Sequence, residues 1–196
     1  SGNYIITVTD TNNCSNSDTI FVNQPSTLSV IIDSSINILC YGGYNGQIYI
    51  TANGGDSVYT YLWTGPNGFS SNNEDLDSLC SGTYELTVSD STSSVYATVL
   101  INQPSQLQVI TNPLDTALTL CYGGTAQVSA FSYGGNNPYI TNWDNGDSSF
   151  TTNLSAGIHY VNVTDSNNCS ATSSIVIIES DSMNISSINT NISCYG

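Results

Sequence analysis

The four residues Cys-Tyr-Gly-Gly begin at Cys40 and again at Cys121, and Cys194-Tyr195-Gly196 opens a third copy. The copies start 81 and 73 residues apart. A period of that size restricts the fold to a run of similar modules, because each repeat must bury its own apolar face or stack it on a neighbour's. The rest of the chain follows the same register. "SGNYIITVTDTNNC" from Ser1 matches "SGTYELTVSDSTSS" from Ser81 and "AGIHYVNVTDSNNC" from Ala156. Gln-Pro-Ser recurs at Gln24 and Gln103, and Trp63 matches Trp143. The expected division is the C-terminal part of one repeat (1–25), two complete repeats (26–104 and 105–180) and the N-terminal part of another (181–196), as in a stretch of a longer tandem array.

Within each repeat the apolar period is two. Tyr84, Leu86 and Val88 alternate with Thr83, Glu85, Thr87 and Ser89, and Tyr4, Ile6 and Val8 do the same in the earlier copy. That pattern is a half-buried antiparallel strand. Asp-Thr-Asn-Asn and Asp-Ser-Asn-Asn follow as turns. No segment carries helical start, period and stop signals together. Roughly seven short strands per repeat predict an all-β chain of tandem immunoglobulin-like β-sandwich domains, joined by short linkers into a rod. Trp63 and Trp143 are expected on a central strand, filling the core. Tyr4 and Tyr84 stand where a tyrosine corner would, and His159 takes that place in the third copy, so it reads as a core residue.

Composition removes several functions. The chain has no Lys or Arg among 196 residues and a formal charge of −15. Nucleic-acid binding needs cationic groups to displace phosphate counterions, so no nucleic acid is expected as partner. Anionic membrane surfaces would repel the chain, and no run reaches the ~18 apolar residues of a spanning helix, so no membrane insertion is expected. Hydrophobic residues at 39% against 8% charged exclude an acidic disordered tail. His159 is the sole histidine, and without Arg or Lys to steady developing negative charge no catalytic residues are expected. Cysteines outside any CxxC or Cys/His cluster suit an oxidising, extracellular compartment rather than zinc.

The succession "SGxYxxTVTDxNxC…NQPSxLxV…CYGGxNG…YxYxW…LxSGTY" resembles the SprB-type repeats of giant cell-surface adhesins in gliding bacteria and the related polycystic-kidney-disease-like (PKD-like) β-sandwich. The resemblance covers nearly the whole chain. It departs at the PKD signature "WDFGDG", present here as "WDNGDS" from Trp143 and "WTGPNG" from Trp63. The resemblance implies a long repetitive adhesin or filament at the cell surface, exported by the type IX route and, in gliding cells, moved along that surface. Five Asp-(Ser/Thr)-apolar triplets, with hydroxyls on Thr19, Ser57, Ser78, Thr116 and Ser182, look like the O-glycan acceptor of exported proteins in that bacterial group.

The six cysteines allow 15 pairings. Cys14 and Cys169 share a turn position where the middle copy has serine, and that copy carries Cys80 instead. A sandwich corner would put Cys80 at the same end as the Cys40 loop, so Cys40–Cys80 is the preferred pair. Cys121–Cys169 is the simplest second pair, with bridges across a domain junction as the competitor. The partners of Cys14 and Cys194 stay open. Glu74, Asp75 and Asp77 form one acidic group and Asp144 with Asp147 another. Neither has the spacing of an EF-hand loop, so solvated turns are the expected reading and no cofactor is expected, calcium being the one left open. The function that fits is a structural stalk or adhesive module. Its partners would be neighbouring repeats, other copies in a filament, and surface polysaccharide or other surfaces. A subunit of a self-assembled filament or sheath, hinted at by outward Ile5 and Tyr160, and a carbohydrate-binding accessory domain of an exported enzyme are the alternatives.

Overall fold

The computed structural model describes residues 1–22, 24 and 26–188. They form sixteen strands and a single 3-10 turn. Two compact units divide the chain: Ser1–Ile38 with Gly42–Asn102, and Leu39–Tyr41 with Gln103–Gly196. The second unit thus includes a three-residue segment from inside the first unit's span.

In the first unit, β3 (Ser29–Ile36), β4 (Gly46–Asn53) and β7 (Leu76–Leu79) form one sheet in the order β3-β4-β7. β5 (Thr60–Thr64), β6 (Ser70–Ser71), β8 (Gly82–Ser89) and β9 (Ser94–Ile101) form the other, in the order β6-β5-β8-β9. The chain changes sheet between β4 and β5, between β6 and β7, and between β7 and β8, which is the Greek-key wiring of an immunoglobulin-like sandwich. Alternation in sequence becomes alternation in burial. Tyr84, Leu86 and Val88 are buried, while their neighbours Thr83 and Glu85 are exposed. Ile48 and Ile50 of β4, Leu76 and Leu79 of β7, Val99 and Ile101 of β9 and Trp63 of β5 complete one core drawn from both sheets.

The second unit repeats this plan with β10 (Gln108–Asn112), β12 (Ala126–Tyr133) and β14 (Thr151–Leu154) in one sheet. β11 (Thr116–Leu118), β16 (Ser170–Ile178), β15 (Gly157–Thr164) and β13 (Ile140–Trp143) form the other, in that order. Its first strand is split. β10 pairs antiparallel with β12, and after Pro113 the chain changes sheet so that β11 pairs parallel with β16. The core again joins both sheets, through Val128, Leu154, Trp143, Val161, Val163, Ile175 and Ile177.

Each tryptophan is buried and its indole N–H reaches a backbone carbonyl: Asn73 at 3.1 Å for Trp63, Ser149 at 3.0 Å for Trp143. Their strands differ. β5 lies between β6 and β8, as expected, whereas β13 is the edge of its sheet. After Trp143 the chain folds back at once: Trp143 N–H donates to Asp147 O and Gly146 N–H to Trp143 O. That tight turn takes the place where the first unit forms β6.

One device recurs in both units. Gly55 N–H donates to Ser26 O at 2.8 Å, and Gly135 N–H to Ser105 O at 2.9 Å. The Ser of each Gln-Pro-Ser is thereby fixed to the Gly-Gly turn after the second core strand. Tyr59 and Tyr139 hydroxyls close the same turns on Gly54 O (2.7 Å) and Gly134 O (2.6 Å).

β1 (Gly2–Thr9) and β2 (Ser15–Val22) form a two-stranded hairpin in the register of β8–β9 and β15–β16. Tyr4 was expected in a core and is instead 64% exposed, with Ile6, Val8, Ile20 and Val22 beside it also exposed. The side chains are right for an inner face, but among the described residues no second sheet covers that face.

Candidate functional site

The most elaborated local structure lies in the second unit, where Leu39–Tyr41 meets the turn after β15. The turn is built by one carboxylate. Asp165 Oδ1 accepts from the backbone N–H of Asn167 and of Cys169, both at 2.9 Å, and Oδ2 accepts from Asn136 N–H at 2.9 Å. Asn168 takes the left-handed conformation that the turn requires, φ 63°. Burial of Asp165 pushes its carboxyl pKa up, but the three N–H donors outweigh this and hold it below the usual carboxylate range.

This turn presents Cys169 and Asn167 to the three-residue segment. Cys40 is bonded to Cys169, and Asn167 Nδ2–H donates to Leu39 O at 3.0 Å. Tyr41, Gln106, Leu107, Asn168 and Ser170 line a cleft of about 370 Å³ around the bond. The expected Cys40–Cys80 pair is therefore not formed, nor is Cys121–Cys169. Cys40 instead reaches the turn after β15, where Asn167 also holds the Leu39 carbonyl. Cys80 is taken up by its own corner instead: its carbonyl accepts from the Tyr84 hydroxyl at 3.0 Å, and its sulfur lies 3.5 Å from the same oxygen. Cys14 and Cys121 carry free, exposed thiols. Cys194 lies outside the described residues.

His159 takes over the tyrosine corner by a different route. Tyr84 reaches the carbonyl four residues back, and His159 Nε2 lies 3.0 Å from the equivalent carbonyl, that of Ser155. Its Nδ1 lies 3.0 Å from Asp144 Oδ1, and Asp144 Oδ2 accepts from Tyr160 N–H. Ring and carboxylate thus bind β15 to the turn after Trp143.

The acidic groups are engaged locally rather than gathered. Glu74 accepts from the Tyr61 hydroxyl at 2.9 Å, Asp75 from Ile50 N–H at 3.0 Å, and Asp147 from Ser149 N–H at 2.8 Å. Among the described residues no three His, Cys, Asp or Glu side chains converge as a metal site would need, Asp77 included. The hydroxyl-bearing residues Thr19, Ser57, Ser78, Thr116 and Ser182 are all exposed. Ser57 and Ser78 also have positive φ, 65° and 56°. A second cleft, of about 330 Å³ in the first unit, is lined by Tyr44, Pro66, Phe69, Ser78, Cys80 and Tyr84. Phe69 meets the buried Tyr84 ring edge-on, with centroids 5.3 Å apart.

The turn aspartate escaped the sequence reading, although Asp10, Asp90 and Asp165 occupy one position in all three copies. In the first unit Asp90 accepts from the N–H of Thr92 and Ser93, and these bonds bring its pKa down to about 2. A carboxyl whose folded pKa is depressed contributes stability that is complete above its unfolded value, ~3.9, and is lost as pH falls through the folded value. Asp90→Asn keeps an acceptor oxygen and removes the charge. Wild type is expected to be more stable than this variant above about pH 4, with the difference closing as the pH drops to about 2. Urea melts at several pH values check it, and a difference that widens in acid would contradict the turn's role.

No family model matches the chain, and no curated protein matches it. Among solved structures it is similar to the N-terminal four Ig domains of Dscam1 isoform 1.9, at 14% identity and TM-score 0.34, covering 70% of this chain and 42% of that one. It is also similar to the four Ig domains of Dscam1 isoform 9.44, at 13% identity and TM-score 0.36, covering 86% and 51%. The N-terminal eight Ig domains of Down Syndrome Cell Adhesion Molecule isoform 1.30.30 match at 16% identity and TM-score 0.34, covering 71% and 24%. The chain spans about half or less of these proteins' lengths. The immunoglobulin-like fold rests on strand order, register and the two Trp-centred cores rather than on these overlays.

Proposed function

We propose that the chain is a stalk or adhesive repeat module of a long extracellular surface adhesin or filament. The carrying observation is that one sandwich plan occurs twice in a single chain, each time with its own core and Gly-Gly turn. Repetition of small units gives reach without a large core. A disulfide suits an oxidising setting outside the cell. The absence of Lys and Arg leaves no peptide bond that a trypsin-type protease can cut, an advantage at an exposed surface. The domain divisions 26–104 and 105–180, the SprB-type or PKD-like assignment, type IX export and a part in gliding belong to the same proposal. They rest on the motif resemblance.

O-glycosylation at Thr19, Ser57, Ser78, Thr116 and Ser182 is part of the proposal, supported by the exposure of all five residues. Intact mass of the secreted protein decides it: carbohydrate on these residues is expected, and a bare polypeptide mass removes the idea. A filament or sheath subunit is favoured by one observation, the exposure of Ile5 and Tyr160 together with Ile158. Antibody against residues 1–188, applied to intact cells and followed by electron microscopy, tests the main reading. Labelled thin projections are expected. Label seen only after permeabilisation, or only on compact soluble particles, would remove it.

A further inference from the structure

One place in the sandwich is filled in the first unit and open in the second. Counting back from the tryptophans, Tyr61 of β5 corresponds to Thr141 of β13, and Thr51 of β4 to Phe131 of β12. In the first unit the Tyr61 ring packs against the core, and its hydroxyl donates to Glu74 at 2.9 Å. Tyr61 thereby spans from β5 to the segment before β7. The matching segment of the second unit holds Ser149 and Phe150: the Ser149 carbonyl takes the Trp143 indole N–H, as the Asn73 and Glu74 carbonyls take that of Trp63. Thr141 is too short to span the same gap. A cleft of about 520 Å³ stands open there, between β12, β13 and this segment.

The walls of this cleft are aromatic and neutral. Phe131 and Phe150 meet edge-on, with centroids 4.8 Å apart and planes at 89°, and both rings stay largely exposed. Ser132, Thr141 and Ser148 add three hydroxyls, none of them engaged by another described residue. The edge of β13 adds backbone groups. Trp143 N–H points away from β15, to Asp147 O, so Thr141 N–H and C=O, two residues back, face the same free edge. Among the described residues lining the cleft none is charged, whereas the first unit sets Glu74 and Asp75 at the matching segment.

We infer that the cleft binds a short stretch of a neutral saccharide chain. Such a chain is amphipathic: the C–H faces of its rings pack on aromatic walls, and its hydroxyls both donate and accept hydrogen bonds. The three serine and threonine hydroxyls and the free edge of β13 supply the matching donors and acceptors. Acidic saccharides are disfavoured, because a chain of charge −15 without Lys or Arg repels them and has no side-chain cation to pair with them. The inference rests on the adhesive form of the proposed function and gives it a site. The two fail separately: a stalk without sugar affinity fails the test below and still labels as thin projections on cells.

The test is electrophoresis of the full chain through native gels cast with galactomannan, β-glucan or dextran, or with alginate as the acidic comparison. Retardation is expected in at least one of the three neutral gels and not in alginate. Phe131→Ala removes one wall and is expected to weaken binding about tenfold. Thr141→Tyr places the first unit's residue in the gap and is expected to abolish retardation, while thermal melting shows both units folded. Either variant decides the matter if the other does not fold. Free migration in all three neutral gels, equal retardation in alginate, or a folded Thr141→Tyr or Phe131→Ala protein held as strongly as wild type would overturn the inference.

Discussion

Trp63→Ala is expected to destabilise the first sandwich by about 3–5 kcal/mol. Trp63 has no exposed surface and packs in a core with residues from both sheets. Its removal leaves a cavity between two layers that are each hydrogen-bonded and cannot collapse inward without breaking register. It also frees the carbonyl of Asn73, which the indole N–H holds at 3.1 Å. A module of this size has a total stability of roughly 4–12 kcal/mol, so the loss takes a large share of it. Far-UV circular dichroism under urea should show the first unit melting early. Trp143 fluorescence then reports the second unit alone, whose separate core predicts a retained transition. A loss below about 1 kcal/mol would mean that Trp63 is not the centre of a packed core.

Gly54→Ala should cost about 2–4 kcal/mol, although no side chain is removed. Gly54 has φ +85°, and a Cβ there would stand 2.1 Å from the carbonyl oxygen of Thr27. Backbone has to move, and what moves is the lead-in to β3 that Gly55 N–H holds through Ser26 O. Gly134→Ala repeats the experiment in the second unit, with φ +77° and Gln106 O at 2.0 Å. Gly68→Ala is the control. Its φ of +77° is similar, but nothing lies within 4 Å, so only the conformational cost of about 1 kcal/mol is expected. Equal effects at Gly54 and Gly68 in thermal melts would show that the Gly-Gly turn does not anchor the entering strand.

The fold was legible because period-two alternation and turn chemistry are local. Tyr84, Leu86 and Val88 alone specify which face of β8 turns inward, and Gly-Gly, Gln-Pro-Ser and Asp-x-Asn-Asn mark where strands stop. What depends on partners far along the chain was not legible. Cys40 could be assigned to Cys80 because a corner and a loop at one end of a sandwich look close. Its partner Cys169 lies 129 residues away, and no local residue pattern encodes that contact. Tyr4 shows the same limit from the other side: its pattern matches Tyr84, yet burial needs a covering sheet as well as an apolar face. Trp143 ends up on an edge strand because a few turn residues after it replace a short strand. His159 keeps the corner bond of the tyrosine it replaces and gains Asp144, a pairing visible only once the turn after Trp143 is folded.

The most direct measurement is a disulfide map of the protein, made without reduction. Tandem immunoglobulin-like units, the second of which takes in Leu39–Tyr41, predict a Cys40–Cys169 peptide pair with Cys80 still a thiol. A Cys40–Cys80 pair, or Cys40 and Cys169 both recovered as free thiols, would contradict the account.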